Sequence, residues 1–147
     1  MSLRLIIIVF LIVAVSYMLY LVIGMSSTYD SIKEYYFHTD SSGIGHAILS
    51  KTTSTPGWSY ELSDTVGLEQ GKTRYWIDLF YNNKTQKLKY SLKFCDKENH
   101  CSEVSLIGAF DYLNKNGGYK ISDDGVAEML VKIEESIFED LAPICND

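Results

Sequence analysis

Cysteine is the residue type in this sequence whose chemistry depends most directly on spacing. Cys95 and Cys101 flank the five residues DKENH, an arrangement typical of the two ends of a β-hairpin loop. Because loop ends come close together, this pair is predicted to form a disulfide bond in an oxidising compartment. The alternative is a bridge that uses Cys145, which closes a longer loop and is expected to stabilise the folded chain more.

A zinc site is a second interpretation of the cysteines, with His100 as an additional ligand beside Cys95, Cys101 and Cys145. Structural zinc sites usually separate paired ligands by about two to four residues. Five residues lie between Cys95 and Cys101, so the spacing favours the disulfide. Neither a metal nor another cofactor is predicted.

Residues suited to catalysis do not form a known pattern. His38, Asp40 and His46 lie near one another, but glycine and serine residues separate them, which favours a solvated loop. The chain has no nucleophile elbow GxSxG, no P-loop and no GxGxxG dinucleotide motif. We therefore expect a protein without enzymatic activity. A small envelope hydrolase that uses His38 or His46 on peptidoglycan or peptides is the alternative.

Charge is concentrated in two segments. Five lysines lie between residues 84 and 97, whereas residues 122–147 contain eight acids and one base. Four of these acids are predicted near the carboxyl end of a helix, where the dipole disfavours negative charge by up to about 1 kcal/mol. Such a cluster is more often a solvated helix face that maintains solubility, and a docking face for a basic protein surface is the functional interpretation. The candidate partner-binding residues are Glu134, Glu135, Glu139, Asp140, Lys89 and Lys93.

The longest apolar segment, residues 5–25, contains no charged side chain and is long enough to cross a bilayer core as a helix. Its length exceeds that of a signal-peptide core, so residues 1–26 are predicted to be a retained signal-anchor rather than a cleaved leader. Arg4 on its amino-terminal flank favours a cytoplasmic amino terminus. We therefore expect a single-pass protein of the inner or plasma membrane, with residues 27–147 in the periplasm or outside the cell.

Residues 27–147 are numerous enough to form one domain with its own core. The formal net charge of the chain is −6 at pH 7. An acidic domain repels phosphate backbones, so no nucleic-acid partner is expected.

Hydrophobic periodicity predicts the elements of this domain. A period of two predicts strands at 58–62 and 87–95, and aromatic and branched residues predict another at 74–81. Shorter strands are predicted at 46–51 and 119–121. Helical spacing predicts helices at 29–36, at 106–113 and at 126–141, the last after an N-cap at Ser122. Strands followed by helices are typical of an α+β fold, here an antiparallel sheet with two carboxyl-terminal helices on one face.

These features together favour a membrane-anchored, non-catalytic, extracytoplasmic domain that binds protein. An accessory subunit of an envelope complex and an immunity-type inhibitor both fit this description. The expected partners are the lipid bilayer, through residues 5–25, and a protein with a basic surface.

Overall fold

An antiparallel sheet organises the part of the chain that a computed structural model describes, residues 30–64, 74–97 and 100–141 with the isolated positions 13 and 15. Its strands are β1 Lys33–Phe37, β2 Trp58–Asp64, β3 Arg74–Asn82, β4 Lys87–Asp96, β5 Ser102–Asp111 and β6 Asn116–Gly118. Within the described residues the first five strands pair in the spatial order β1-β5-β4-β3-β2. The short β6 pairs with β5 beyond the end of β1, so β1 and β6 share one side of β5.

The three longer predicted strands are confirmed as β2, β3 and β4. β4 shows why the pattern was informative, because alternate residues from Leu88 to Phe94 are buried. The intervening residues from Lys89 to Lys93 are half-buried on the other face. One face of the sheet therefore packs on the core and the other meets solvent.

Two helical segments pack on the core face of the sheet. α1 is Ser41–Ser54, and α2 is Val126–Ile133, which continues directly into a π-helical turn, Glu134–Phe138. Ile48 of α1 and Ile133 of α2 are fully buried in one cluster with the inward residues of the strands. The predicted α+β class, with an antiparallel sheet and two helices, is confirmed.

Only one of the two helices is carboxyl-terminal, so the predicted order of elements is wrong. Residues 106–113, predicted as a helix, belong mainly to β5. β5 is buried on both faces, and it bulges because Ser91 pairs with Gly108 while Leu92 pairs with Leu106. Burial on both sides and the extra residue remove the period of two and leave a spacing that resembles a helix.

The other helix, α1, lies between β1 and β2. It contains residues 46–51, for which the prediction of a strand is wrong. The helix begins where it does because the Asp40 carboxylate accepts the Gly43 N–H at 2.6 Å, an N-cap hydrogen bond.

The two ends of the domain also differ from the predictions. Residues 29–36, predicted as a helical stripe, instead contribute β1, whose sequence KEYYF has the aromatic content typical of strands. The prediction of a short strand at 119–121 is wrong, because those residues form bends and turns after β6, and α2 has Gly125 rather than Ser122 as its N-cap.

No helix among the described residues is long and apolar enough to cross a bilayer. Of the apolar run 5–25, the structure describes only Val13 and Val15, which have helical backbone. The rest of the run lies outside the described residues, and the membrane anchor stays a prediction.

Candidate functional site

The acidic residues near the end of the chain lie on the π-helical turn and just after it. The turn is wider than an α-helix, because the Glu139 N–H donates to the carbonyl of Glu134, five residues earlier, at 2.9 Å. Together with Leu141 it forms one wall of a groove of about 550 Å³, and all five residues of β1 form the other wall. Lys33 and Glu134, which meet across this groove, are 101 positions apart in the sequence.

Glu134 fastens the turn to β1. Its Oε1 accepts hydrogen bonds from Lys33 Nζ at 2.5 Å and from the Tyr35 hydroxyl at 2.8 Å. Burial and this neighbouring carboxylate raise the pKa of Tyr35, so its hydroxyl remains a proton donor. The Tyr35 ring also packs against Phe138 with 4.5 Å between ring centroids. Glu134 is therefore occupied by its own chain and holds the groove together.

Asp140 has a similar role on the other side of the turn. Its Oδ2 accepts from Lys51 Nζ of α1 at 2.5 Å, although 73% of the Asp140 side chain is exposed. An exposed pair of this kind contributes little to stability. The ammonium group of Lys51 nevertheless neutralises Asp140, as that of Lys33 neutralises Glu134.

Glu135 and Glu139 are the two predicted acids that no lysine of the described residues contacts. Both are exposed and line the groove, and neither makes an ion pair with another described residue. Glu34 of β1 adds a third carboxylate to the lining. Hydrogen bonds from the hydroxyls of Ser31 and Tyr36 hold the pKa of Glu34 below its usual value, so it is ionised at neutral pH. With Glu134 included, four carboxylates and one ammonium group, that of Lys33, line the groove. The charges of Lys97 and Lys93 also act on Glu34 and help to lower its pKa.

Apolar side chains form the floor between these carboxylates. Phe138 packs against both Tyr35 and Phe37, and Leu141 is partly buried beside the same cluster. An acidic rim around an apolar floor suits a partner with basic and apolar side chains.

β1 also contributes its backbone to the site. It pairs with β5 on one side, and no described strand pairs with its other side. In an antiparallel strand about half of the N–H and C=O groups point toward each neighbour.

The predicted lysines lie elsewhere. Lys89 is on the solvent face of the sheet, where its ammonium contacts Asp78 at 2.9 Å, and this hydrogen bond raises the pKa of Lys89. Lys93 is on the same face, opposite Trp76 and Ser105 in the neighbouring strands. The six candidate partner-binding residues therefore belong to two separate surfaces, and of them only Glu134, Glu135 and Glu139 line the groove.

The predicted Cys95–Cys101 disulfide is wrong. Cys95 is a free, buried thiol whose Sγ lies 3.5 Å from the Asp96 carbonyl. The hairpin is present, but its register pairs Cys95 with Glu103, while the Lys97 N–H donates to the Cys101 carbonyl at 2.8 Å. The two cysteines are thus diagonal neighbours, for which Cα atoms are about 7–8 Å apart, too far for a disulfide.

The histidines occupy exposed positions. The ring nitrogen Nδ1 of His38 lies 3.8 Å from Cys101 Sγ, and His46 lies on α1. Asp40, the third member of the predicted group, is engaged as the N-cap of α1. Among the described residues, no three His, Cys, Asp or Glu side chains are placed to hold a metal ion.

Comparisons with known protein families, with curated proteins and with solved structures found no match to this chain. Its function must therefore be inferred from its own residues.

Proposed function

We propose that this chain is a membrane-anchored, non-catalytic, extracytoplasmic domain whose groove binds another protein through a basic surface. The observation that carries the proposal is the division among the four acids. Lysines of the same chain neutralise Glu134 and Asp140, whereas Glu135 and Glu139 remain available at the groove. An accessory subunit of an envelope complex and an immunity-type inhibitor are two forms that such a protein takes.

The proposed address rests on the sequence. The apolar run 5–25 supports a bilayer anchor, and Arg4 before it supports an outside domain. β1 begins eight residues after Met25, so a fully extended link between them spans at most about 28 Å. We therefore propose that the groove lies close to the membrane surface and that the partner is bound there.

An oxidising compartment also requires a new assignment of the cysteines. Cys95 is buried and free, which leaves Cys101 and Cys145 as the only pair that the chain offers. We therefore propose a Cys101–Cys145 disulfide, which closes a longer loop than the Cys95–Cys101 pair would.

Affinity capture with a charge-reversed chain tests the binding function. The tagged full-length protein is used to capture partners from solubilised membranes, alongside Glu135→Lys/Glu139→Lys. The matched control, Asp124→Lys/Glu128→Lys, reverses two exposed acids near the start of α2, away from the groove lining.

We expect one protein to be captured by the native chain and by the control, and to be lost with the groove variant or at high salt. A basic-to-acidic exchange on that protein should restore capture by Glu135→Lys/Glu139→Lys. Equal capture by all three chains would overturn the acidic groove as the binding site.

A further inference from the structure

We infer that one end of the domain rests on the lipid surface of the membrane that holds the chain, through exposed aromatic and aliphatic side chains bordered by lysines. This inference rests on the bilayer anchor of the function proposed above, and it adds a second contact surface, separate from the groove. Three observations carry it: which end of the sheet follows the apolar run, which side chains are exposed there, and which charges surround them.

The residues before β1 mark the end of the domain that lies nearest the anchor. Asp30, the first residue of the described domain, follows Met25 by five positions, which span at most about 18 Å of extended chain. Residues 30–32 and residues 119–121 line one small pocket together. The Asp123 carboxylate holds the second segment in place, because its Oδ2 accepts two consecutive backbone N–H groups of that segment, each at 2.9 Å. Residues 119–121 are therefore within a short link of the proposed anchor.

Two turns lie at the same end of the sheet. β1 is antiparallel to β5, so the start of β1 points toward the carboxyl end of β5. β6 pairs with the last three residues of β5, and residues 112–115 form the turn between these two strands. The side-chain amide of Asn114 in that turn donates to the Thr85 carbonyl at 3.2 Å, which joins it to the turn between β3 and β4. Both turns and residues 119–121 thus form one end of the domain.

Large apolar side chains are exposed at this end. Tyr112 and Leu113 in the β5–β6 turn, and Ile121 in the neighbouring segment, are each at least half exposed. The rings of Tyr112 and Tyr119 both pack beside Phe110, with 6.5 Å and 5.1 Å between centroids, so the aromatic part of the surface is continuous. Surface turns usually carry small or polar residues. Tyrosine and aliphatic side chains in this position instead have the composition that the headgroup and upper acyl regions of a bilayer favour.

The charge around these side chains is mainly positive, although the net charge of the chain is −6. Exposed lysines lie in or next to the two turns and in the segment beside β1: Lys84, Lys87, Lys115 and Lys120. Acids in or next to the same segments are Asp30, Asp111, Asp123 and Asp124. Asp111 and Asp123 are not fully exposed and accept backbone N–H groups, so two exposed acids accompany four exposed lysines. This charge is complementary to anionic phospholipid headgroups, and the anchor holds this end beside them.

The test measures whether lipid contacts a tryptophan placed in this surface. The full chain carrying Leu113→Trp is reconstituted in vesicles of phosphatidylcholine and phosphatidylglycerol, with or without bromine on the acyl chains, which quenches tryptophan fluorescence on contact. The matched control is Leu62→Trp, at an exposed position in β2 toward the opposite end of the sheet. The native chain, with Trp58 and Trp76, gives the background to subtract. An alkaline wash of the vesicles shows separately whether the chain is anchored.

We expect brominated lipid to lower the added fluorescence of the Leu113→Trp chain by about half or more, since interfacial side chains reach the upper acyl region. The Leu62→Trp chain should be quenched little. Adding Lys115→Glu/Lys120→Glu to the Leu113→Trp chain, or omitting phosphatidylglycerol, should reduce its quenching about twofold.

Equal quenching of the Leu113→Trp and Leu62→Trp chains, or quenching of neither, would overturn this inference if the chain withstands the alkaline wash. The binding function of the groove would then still depend on the capture experiment. Quenching that ignores both the lysine exchange and the lipid charge would overturn the contribution of the lysines. Loss of the chain in the alkaline wash would overturn the anchor itself, and with it the premise of this inference.

Discussion

At the scale of single residues, Asp111 shows how one carboxylate organises a turn. It is 4% exposed, and Oδ1 accepts the N–H groups of Lys87 at 3.2 Å and Leu113 at 3.0 Å. Its Oδ2 accepts the side-chain amide of Asn114 at 2.7 Å. Burial acts to raise the pKa of Asp111, but these hydrogen bonds outweigh it and hold the pKa below its usual value.

We predict that Asp111→Ala lowers the free energy of unfolding by about 1–3 kcal/mol at pH 7, since it removes the charged acceptor of these hydrogen bonds. A carboxyl group whose pKa is lowered on folding stabilises above its unfolded pKa, and that contribution is lost as the pH falls through the folded pKa. The difference between native and variant chains should therefore shrink below about pH 4. Urea denaturation of both chains at pH 7 and at pH 3 measures this difference in the free energy of unfolding, and Asp124→Ala, at an exposed position, is the control. A difference that is unchanged at pH 3 would contradict an ionised role for Asp111.

At the scale of elements, one hydrogen bond joins the centre of the sheet to α2. The Tyr90 hydroxyl of β4 is buried and donates to the Met129 carbonyl at 3.0 Å. We predict that Tyr90→Phe lowers the free energy of unfolding by about 1 kcal/mol, because the ring still packs but the carbonyl loses a donor. Tyr112→Phe, at an exposed ring, is the control and should change stability little. Chemical denaturation of the two variants compares them directly, and equal losses would show that the bond does not stabilise the docking of α2.

The same scale explains which elements could be predicted from the sequence. β3 and β4 each have one core face and one wetter face, so their apolar residues alternate. β2 is the edge strand on that side and shows the same alternation, although only Trp58 of its apolar residues is buried and Leu62 is 63% exposed. β5 lies between β4 and the pair β1 and β6, is covered on both faces and contains a bulge, so its pattern imitates a helix. α1 has little contrast between its faces, and the signal that it offered was the cap at Asp40.

The candidate site could be predicted only in part, because one of its two walls comes from a distant part of the sequence. Acids placed against the helix dipole were visible in the sequence, and they led to Glu135 and Glu139. The opposite wall comes from β1, about a hundred residues earlier in the chain, and periodicity carries no information about such long-range contacts. The aromatic run KEYYF was the one local signal for that wall, because aromatic residues favour strands.

At the scale of the whole molecule, the cysteines connect the fold to its proposed compartment. Cys95 is free and buried in the sheet, so a bridge in this chain must join Cys101 to Cys145. Closing that long loop is expected to stabilise the folded chain by about 4 kcal/mol, through the entropy lost by the unfolded chain. The bond would also hold the end of the chain to the β4–β5 turn.

We predict that Cys101→Ser and Cys145→Ser lower the free energy of unfolding by similar amounts, and that the double variant loses no more than either. The losses are not additive because each substitution removes the same bond. Urea denaturation without reductant measures the three variants, and adding reductant should bring the native chain to their level. Additive losses, or a native chain whose stability is indifferent to reductant, would mean that these thiols stay reduced. The extracytoplasmic address would then be wrong, and the search for a basic partner would move to the other side of the membrane.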